Sequence, residues 1–147
     1  MYDLKDFDRI GWLPLDDETF ALPLASAFDA TEENIAVLWT TGIKESRRCY
    51  VSTFSTRDVK RLRTVRTRMT PSSVSTVACG FDGSMLCVTI GPSSVVIDTR
   101  TGKIESKINL PPTNQPGFAW AQSMIGSGRS FVASGKQAYI FEWIASQ

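Results

Sequence analysis

Two short apolar runs separated by a polar turn make up the stretch Val77-Ala78-Cys79-Gly80-Phe81-Asp82-Gly83-Ser84-Met85-Leu86-Cys87-Val88-Thr89-Ile90. The first run ends at Gly80, and the second begins at Met85 after the Phe81-Asp82-Gly83-Ser84 turn. An Asp-Gly pair between apolar runs is typical of a tight turn that joins two antiparallel strands. This stretch therefore predicts a β-hairpin.

The hairpin pattern recurs on both sides of this stretch. Upstream, Ala25-Ser26-Ala27-Phe28-Asp29 is followed by Ile35-Ala36-Val37-Leu38-Trp39. Downstream, a weaker copy runs from Phe118 to Ile125, turns at Gly126-Ser127-Gly128 and continues over residues 130–135. The first two copies lie 53 residues apart, from Phe28 to Phe81, and the third follows about 43 residues later. Periods of ~40 to 50 residues are typical of the four-stranded blades of a β-propeller.

The whole chain carries the signature of short strands. No window sustains the i, i+3, i+4, i+7 apolar spacing of a helix beyond two turns, and apolar runs rich in β-branched and aromatic residues are bounded by turn formers. The sequence predicts an all-β fold with strands at 20–27, 34–41, 48–54, 59–67, 74–80, 84–90, 94–98, 103–109, 118–124, 130–134 and 137–144.

The middle unit resembles a blade of the WD40-type propeller family. Its third apolar run ends at Asp98, and a Thr101-Gly102-Lys103 turn follows. In that family the third strand ends in an aspartate, a short polar Gly-Lys turn comes next, and the fourth strand forms the outer rim. Gly102 is suited to the positive φ of a tight turn, and Asp98 to bonding turn amides. We expect both residues to have a structural role in the turn.

The resemblance covers roughly residues 20–144 and implies a partial β-propeller of about three four-stranded antiparallel blades. The family's Gly-His dipeptide is absent, and Ile97-Asp98 stands where Trp-Asp is usual. We expect an N-terminal lead-in at 1–19 and a propeller segment at 20–147, with blades at about 20–69, 72–111 and 116–147. The third blade lacks its fourth strand.

The length of the chain bears on how such a fold is completed. At about 42 to 45 residues per blade, 147 residues hold about three blades, whereas a closed propeller needs at least four. We expect completion by the remainder of a longer chain or by blades from another chain. A compact β-sandwich is the alternative. The apolar run 10–15 either pairs beside 139–144 as the absent strand, or residues 4–14 form a lead-in that covers the first unit.

Composition excludes several functional classes. The chain is 42% hydrophobic and 21% charged, has a net charge of +1 and contains no histidine, so Ser-His-Asp and Cys-His catalysis and imidazole zinc sites are ruled out. Cys49, Cys79 and Cys87 form no CxxC pair. We expect no catalytic residue, cofactor or metal. The acidic N-terminus lacks a signal-peptide pattern and no apolar run reaches a bilayer span, which favours an intracellular protein, cytoplasmic or nuclear.

A run of five cations between residues 60 and 68, within the basic stretch 57–68, is the one anomaly of charge. Clustered guanidinium groups suit phosphates, as in RNA or phosphoinositides. The other interpretation is an outer edge strand whose charges prevent unwanted strand pairing. The candidate phosphate or nucleic-acid contacts are Lys60, Arg61, Arg63, Arg66 and Arg68.

Aromatic residues supply the candidate protein-binding positions. Tyr and Trp are enriched at interface hot spots, and Trp12 and Trp120 adjoin expected loops; Tyr139 is the third candidate. We expect a non-catalytic scaffold for protein-protein interaction, a WD40-like propeller segment inside a larger multi-subunit complex. Its partners would be other protein subunits or the rest of a longer propeller chain. The alternative is an RNA- or phosphoinositide-binding module that uses the basic stretch 57–68.

Overall fold

The computed structural model of the chain describes residues 14–15, 21–41, 47–69, 77–90, 93–109, 119–126, 129–134 and 137–142. All regular secondary structure in these segments is β-strand. The strands are β1 Ala21–Phe28, β2 Asn34–Thr41, β3 Arg48–Ser55, β4 Lys60–Arg66, β5 Val77–Phe81, β6 Met85–Ile90, β7 Ser93–Asp98, β8 Ile104–Asn109, β9 Ala119–Gly126, β10 Arg129–Ser134 and β11 Gln137–Glu142.

The prediction of an all-β fold is confirmed. All eleven predicted strands are present, and their ends differ from the expected ones by at most a few residues. They form three antiparallel sheets with neighbours in chain order: β1-β2-β3-β4, β5-β6-β7-β8 and β9-β10-β11. Each sheet is therefore a meander of antiparallel strands that are consecutive along the chain.

Burial falls from the middle of the first sheet to its outer strand. β2 has the sequence NIAVLWTT, and its six central residues are all buried, so both of its faces are covered. β4 has the sequence KRLRTVR and is exposed except for the half-buried Val65. A strand with two buried faces is a continuous apolar run, whereas an exposed edge strand tolerates charge.

The first two sheets pack face to face. Leu38 and Val51 of the first sheet share a buried cluster with Phe81, Leu86 and Ile97 of the second. Side chains alternate along a strand, so the residues between them point to the opposite face of the first sheet. There Val37, Trp39 and Phe54 form a second cluster, against which Leu15 packs.

The three sheets follow one another in space as they do along the chain. The first strand of each sheet contacts the first strand of the next, β1 with β5 and β5 with β9, and β6 also contacts β9. The sheets in the described part of the chain do not close into a barrel. The first strands of the three sheets thus lie next to one another.

The repeated Phe-Asp dipeptide has a structural explanation. Asp29 follows the end of β1, and its carboxylate accepts hydrogen bonds from the Asn34 side chain at 2.7 Å and the Thr31 hydroxyl at 3.0 Å. Asp82 follows the end of β5, and its Oδ1 accepts the Met85 amide at 3.0 Å. Both aspartates hold the turn between the first two strands of a sheet.

The N-terminal lead-in is described only at Pro14 and Leu15. Leu15 packs on the outer face of the first sheet, and Arg61 Nη1 donates to its carbonyl at 3.0 Å. This contact favours a lead-in that covers the first unit. Residues 10–13, which the strand-pairing alternative requires, lie outside the described residues. The domain and blade boundaries remain predictions.

Candidate interaction surface on the first sheet

A chain of side-chain contacts ties three strands together on the outer face of the first sheet. The Trp39 and Tyr50 rings stack with centroids 4.7 Å apart and planes at 21°. Trp39 Nε1 donates to Ser52 Oγ at 2.9 Å, and Ser52 Oγ lies 2.7 Å from Thr64 Oγ1. The register explains this, because it pairs Trp39 with Tyr50 and Ser52 with Thr64. Trp39 is only 2% exposed, and Ser52 of β3 accepts the hydrogen bond of its indole N–H. Thr64 of β4 in turn bonds Ser52.

A groove of about 420 Å³ opens beside this contact chain. Its base is aromatic and hydroxylic, and arginine side chains stand at its rim. The volume is large enough for one or two side chains of a partner and lies within the range of ~300 to 1,000 Å³ that is typical of ligand pockets. The lining residues are Leu15, Trp39, Tyr50, Arg61, Leu62, Arg63 and Thr64.

The basic stretch forms β4 and the residues just after it. All five of its candidate cations are exposed: Lys60, Arg61, Arg63, Arg66 and Arg68. Arg61 lies opposite Phe54 and Arg66 opposite Tyr50, so both share the face of Trp39. Arg63 lies opposite Thr53, on the other face. An irregularity in pairing between Thr53 and Phe54 leaves Leu62 as the extra residue of β4.

Two of these arginines make contacts within the molecule. Besides Leu15, Arg61 Nη1 reaches the Pro14 carbonyl at 3.4 Å. Arg63 Nη1 donates to the Arg100 carbonyl, in the turn between β7 and β8, at 3.3 Å. Arg61 therefore holds the lead-in, and Arg63 connects the first sheet to the second.

Asp98 and Gly102 lie in that same turn. Asp98 is 6% exposed, and its Oδ1 accepts the Arg100 amide at 2.7 Å. The Arg100 guanidinium binds both carboxylate oxygens, at 3.2 and 3.1 Å. These bonds, with that from the Arg100 side chain foremost, lower the pKa of Asp98. Gly102 has a φ of 74° and donates its amide to the Asp98 carbonyl at 2.7 Å.

The candidate partner-binding aromatics are placed unevenly. Trp12 lies outside the described residues, and Trp120 belongs to β9. Tyr139 is half-buried in β11, next to Ile140, which is 68% exposed. Sequence reasoning missed Tyr50, Ser52 and Leu15 as site residues. Only the cross-strand register between β2, β3 and β4 could have identified the first two.

The three cysteines lie on β3, β5 and β6. Cys49 and Cys87 are buried, Cys79 is half-buried, and none of them forms a disulfide bond. Burial, followed by the proximity of Cys87, raises the pKa of Cys79 to about 12. Within the described ranges no group of three His, Cys, Asp or Glu side chains could hold a metal ion. Nor does that part of the chain contain a helix long and apolar enough to cross a membrane.

Comparison with known proteins adds no relative. The chain matches no known protein-family model, and no curated protein matches it.

Proposed function

We propose that this chain is a non-catalytic interaction scaffold whose three sheets are consecutive units of a WD40-like propeller segment in a larger assembly. The observation that carries the proposal is the contact of β1 with β5 and of β5 with β9. In a propeller the first strands of successive blades adjoin around one axis, and each blade covers an apolar face of the next.

Exposed apolar side chains on the outermost sheets support the same function. Phe28, on the Trp39 face of the first sheet, is 52% exposed, and Ile140 of the last sheet is 68% exposed. Blades that stack bury such positions, so a segment with exposed ends requires a further unit or a partner chain. The partners are other protein subunits or further blades of a propeller.

The experiment is the mass in solution of the purified chain, measured by light scattering over a dilution series. We expect reversible association through the exposed end faces, weakened by Phe28→Lys and by Ile140→Lys. Leu22→Lys is the matched control, because Leu22 is also a large exposed apolar residue, at 42%, but lies opposite Thr40, on the face of the first sheet away from Trp39. Circular dichroism establishes that each variant is folded.

A folded monomer at every concentration would contradict this function. It would mean that the chain covers its own sheets, and a compact β-sandwich would then be the better description. Equal weakening by Leu22→Lys would also count against it, because the end faces would then have no special role.

A further inference from the structure

We propose that the outer edge of β4 is a docking edge for an extended acidic peptide, which adds a strand to the first sheet. The proposal rests on the interaction role above and names the chemistry of one partner. It needs only the first sheet, and so it does not depend on how the stack of sheets ends.

The position of β4 in its sheet makes strand addition feasible. β4 is the last strand in the order β1-β2-β3-β4, and all but one of its seven residues are exposed. An edge strand has main-chain donors and acceptors on the side away from its neighbouring strand. An extended peptide can form hydrogen bonds with them if its side chains complement those of the edge strand.

An edge strand at the position of β4 does not need to carry only positive charge. β8 holds the equivalent place in the second sheet, and it carries both signs: Lys103, just before it, pairs with Glu105 at 3.0 Å, and Lys107 follows. Mixed charge is enough to discourage unwanted pairing at an edge. β4 contains four cations and no carboxylate. We infer that this excess of positive charge attracts an acidic partner, in addition to preventing unwanted strand pairing.

The distribution of the cations over both faces favours a peptide strand. Arg61 and Arg66 share the Trp39 face, whereas Lys60, opposite Ser55, and Arg63 lie on the other. A membrane or a nucleic-acid backbone presents phosphates to one face of a sheet. An added strand projects its side chains alternately to both faces, so acidic residues along it meet cations on each.

The neighbourhood of β4 sets the extent of the docked strand. The groove at its N-terminal end has an aromatic base and the 56% exposed Leu62 beside it, which suits an apolar residue between acidic ones. At the other end, the main chain of Gly102 packs against the Arg66 carbonyl. The added strand therefore runs alongside Lys60 to Thr64.

The test is binding of labelled synthetic peptides of about ten residues, followed by fluorescence anisotropy at about 50 mM salt. One peptide repeats Asp-Asp-Val-Val, which places Asp on both faces of an extended strand, a second replaces Asp by Asn, and a third is the acidic peptide interrupted by prolines. Lys60→Glu combined with Arg61→Glu removes one cation from each face within the docked stretch. Lys103→Glu combined with Lys107→Glu makes the same change of net charge at β8.

We expect the wild type and the β8 double variant to bind the acidic peptide, and the β4 double variant to bind it about tenfold more weakly. The asparagine and proline peptides should bind weakly to all three proteins. Absence of binding to the acidic peptide, or equal loss in the β8 variant, would overturn the proposal. Equal binding of the proline peptide would also overturn it, because charge alone would then suffice.

Two further measurements distinguish the peptide-docking proposal from phosphate binding and from the proposed stacking of sheets. Tighter binding of a U-rich RNA oligonucleotide or of vesicles containing a phosphoinositide would replace the peptide by the phosphate ligands expected from the sequence. Light scattering reports separately on the end faces. A monomer that binds the acidic peptide contradicts the stacking role alone, and an associating chain that ignores the peptide contradicts the docking edge alone.

Discussion

The main chain of Gly102, in the turn between β7 and β8, packs directly against the carbonyl group of Arg66 at the end of β4. A Cβ atom on Gly102 would overlap that carbonyl and would lie 3.5 Å from the Thr67 Cα. The backbone of Gly102 also has a φ of 74°, which L side chains rarely adopt. Both the positive φ of the turn and the close contact between the two sheets therefore require glycine at position 102.

Gly102→Ala is expected to destabilise the protein by about 2 to 4 kcal/mol, because it adds strain at positive φ and an overlap with the first sheet. Gly83→Ala is the matched control, since Gly83 has a φ of 86° but open space around its Cβ position. It should cost about 1 kcal/mol. Chemical denaturation measures both. Equal costs would show that the contact with Arg66 contributes nothing.

Asp98→Ala should destabilise the chain by about 1 to 3 kcal/mol, because it leaves the Arg100 amide without its acceptor in a largely buried turn. Asp98→Asn keeps an acceptor oxygen and should cost less. Denaturation at neutral pH measures both changes. A neutral effect of the alanine variant would count against the structural role of Asp98 and against the WD40 resemblance.

The contribution of Asp98 should depend on pH with a defined sign. Its pKa in the folded protein lies below the ordinary 3.8, chiefly through the Arg100 side chain. The stabilisation is therefore present above about pH 4 and is lost as pH falls through the folded pKa. The difference in unfolding free energy between wild type and Asp98→Asn should shrink as the pH falls below about 4. A constant difference would contradict this.

Thr40→Val is expected to stabilise the protein by about 1 kcal/mol. Thr40 is 3% exposed, and in the described part of the chain its hydroxyl has no hydrogen-bond partner. Thr89→Val is the control on β6, the equivalent strand of the second sheet. Thr89 Oγ1 donates to Ser94 Oγ at 3.0 Å, so its loss should destabilise by about 1 kcal/mol. Melting curves of both variants decide the signs.

The native thiols should react slowly with Ellman's reagent at about pH 8, and rapidly once the chain is unfolded. The pKa of Cys79 is raised to about 12, and burial also raises the pKa of Cys49, so little thiolate forms in the folded state. Titration of free thiols before and after denaturant measures this. A fast native phase would show that one cysteine is accessible and activated, and Cys79→Ser would identify its source.

The repeated dipeptides at Phe28-Asp29 and Phe81-Asp82 made the strand order predictable. Each combines an apolar strand end with a carboxylate that caps the next turn, and both effects act over a few neighbouring residues. Local signals of this kind predicted the eleven strands. The all-β fold and the exposure of the cations on β4 followed from the same patterns.

The candidate interaction surface was only partly predictable. The cations at 60–68 stand out in the sequence, but their division between two faces depends on the irregularity at Leu62, which no composition reveals. The Trp39 side chain is buried in the second apolar cluster. Its stacking on Tyr50 and its bond to Ser52 depend on cross-strand register.

The amino-acid sequence by itself determined which segments become strands and where they turn, because apolar alternation, Asp-Gly turns and β-branched residues act locally. Only the tertiary structure decided which side chains meet. Arg61 donates a hydrogen bond to the carbonyl of Leu15, and the main chain of Gly102 packs against the carbonyl of Arg66. Both contacts join residues that are distant along the chain. The free energy of such contacts depends on how whole sheets stack and on burial that only packing creates.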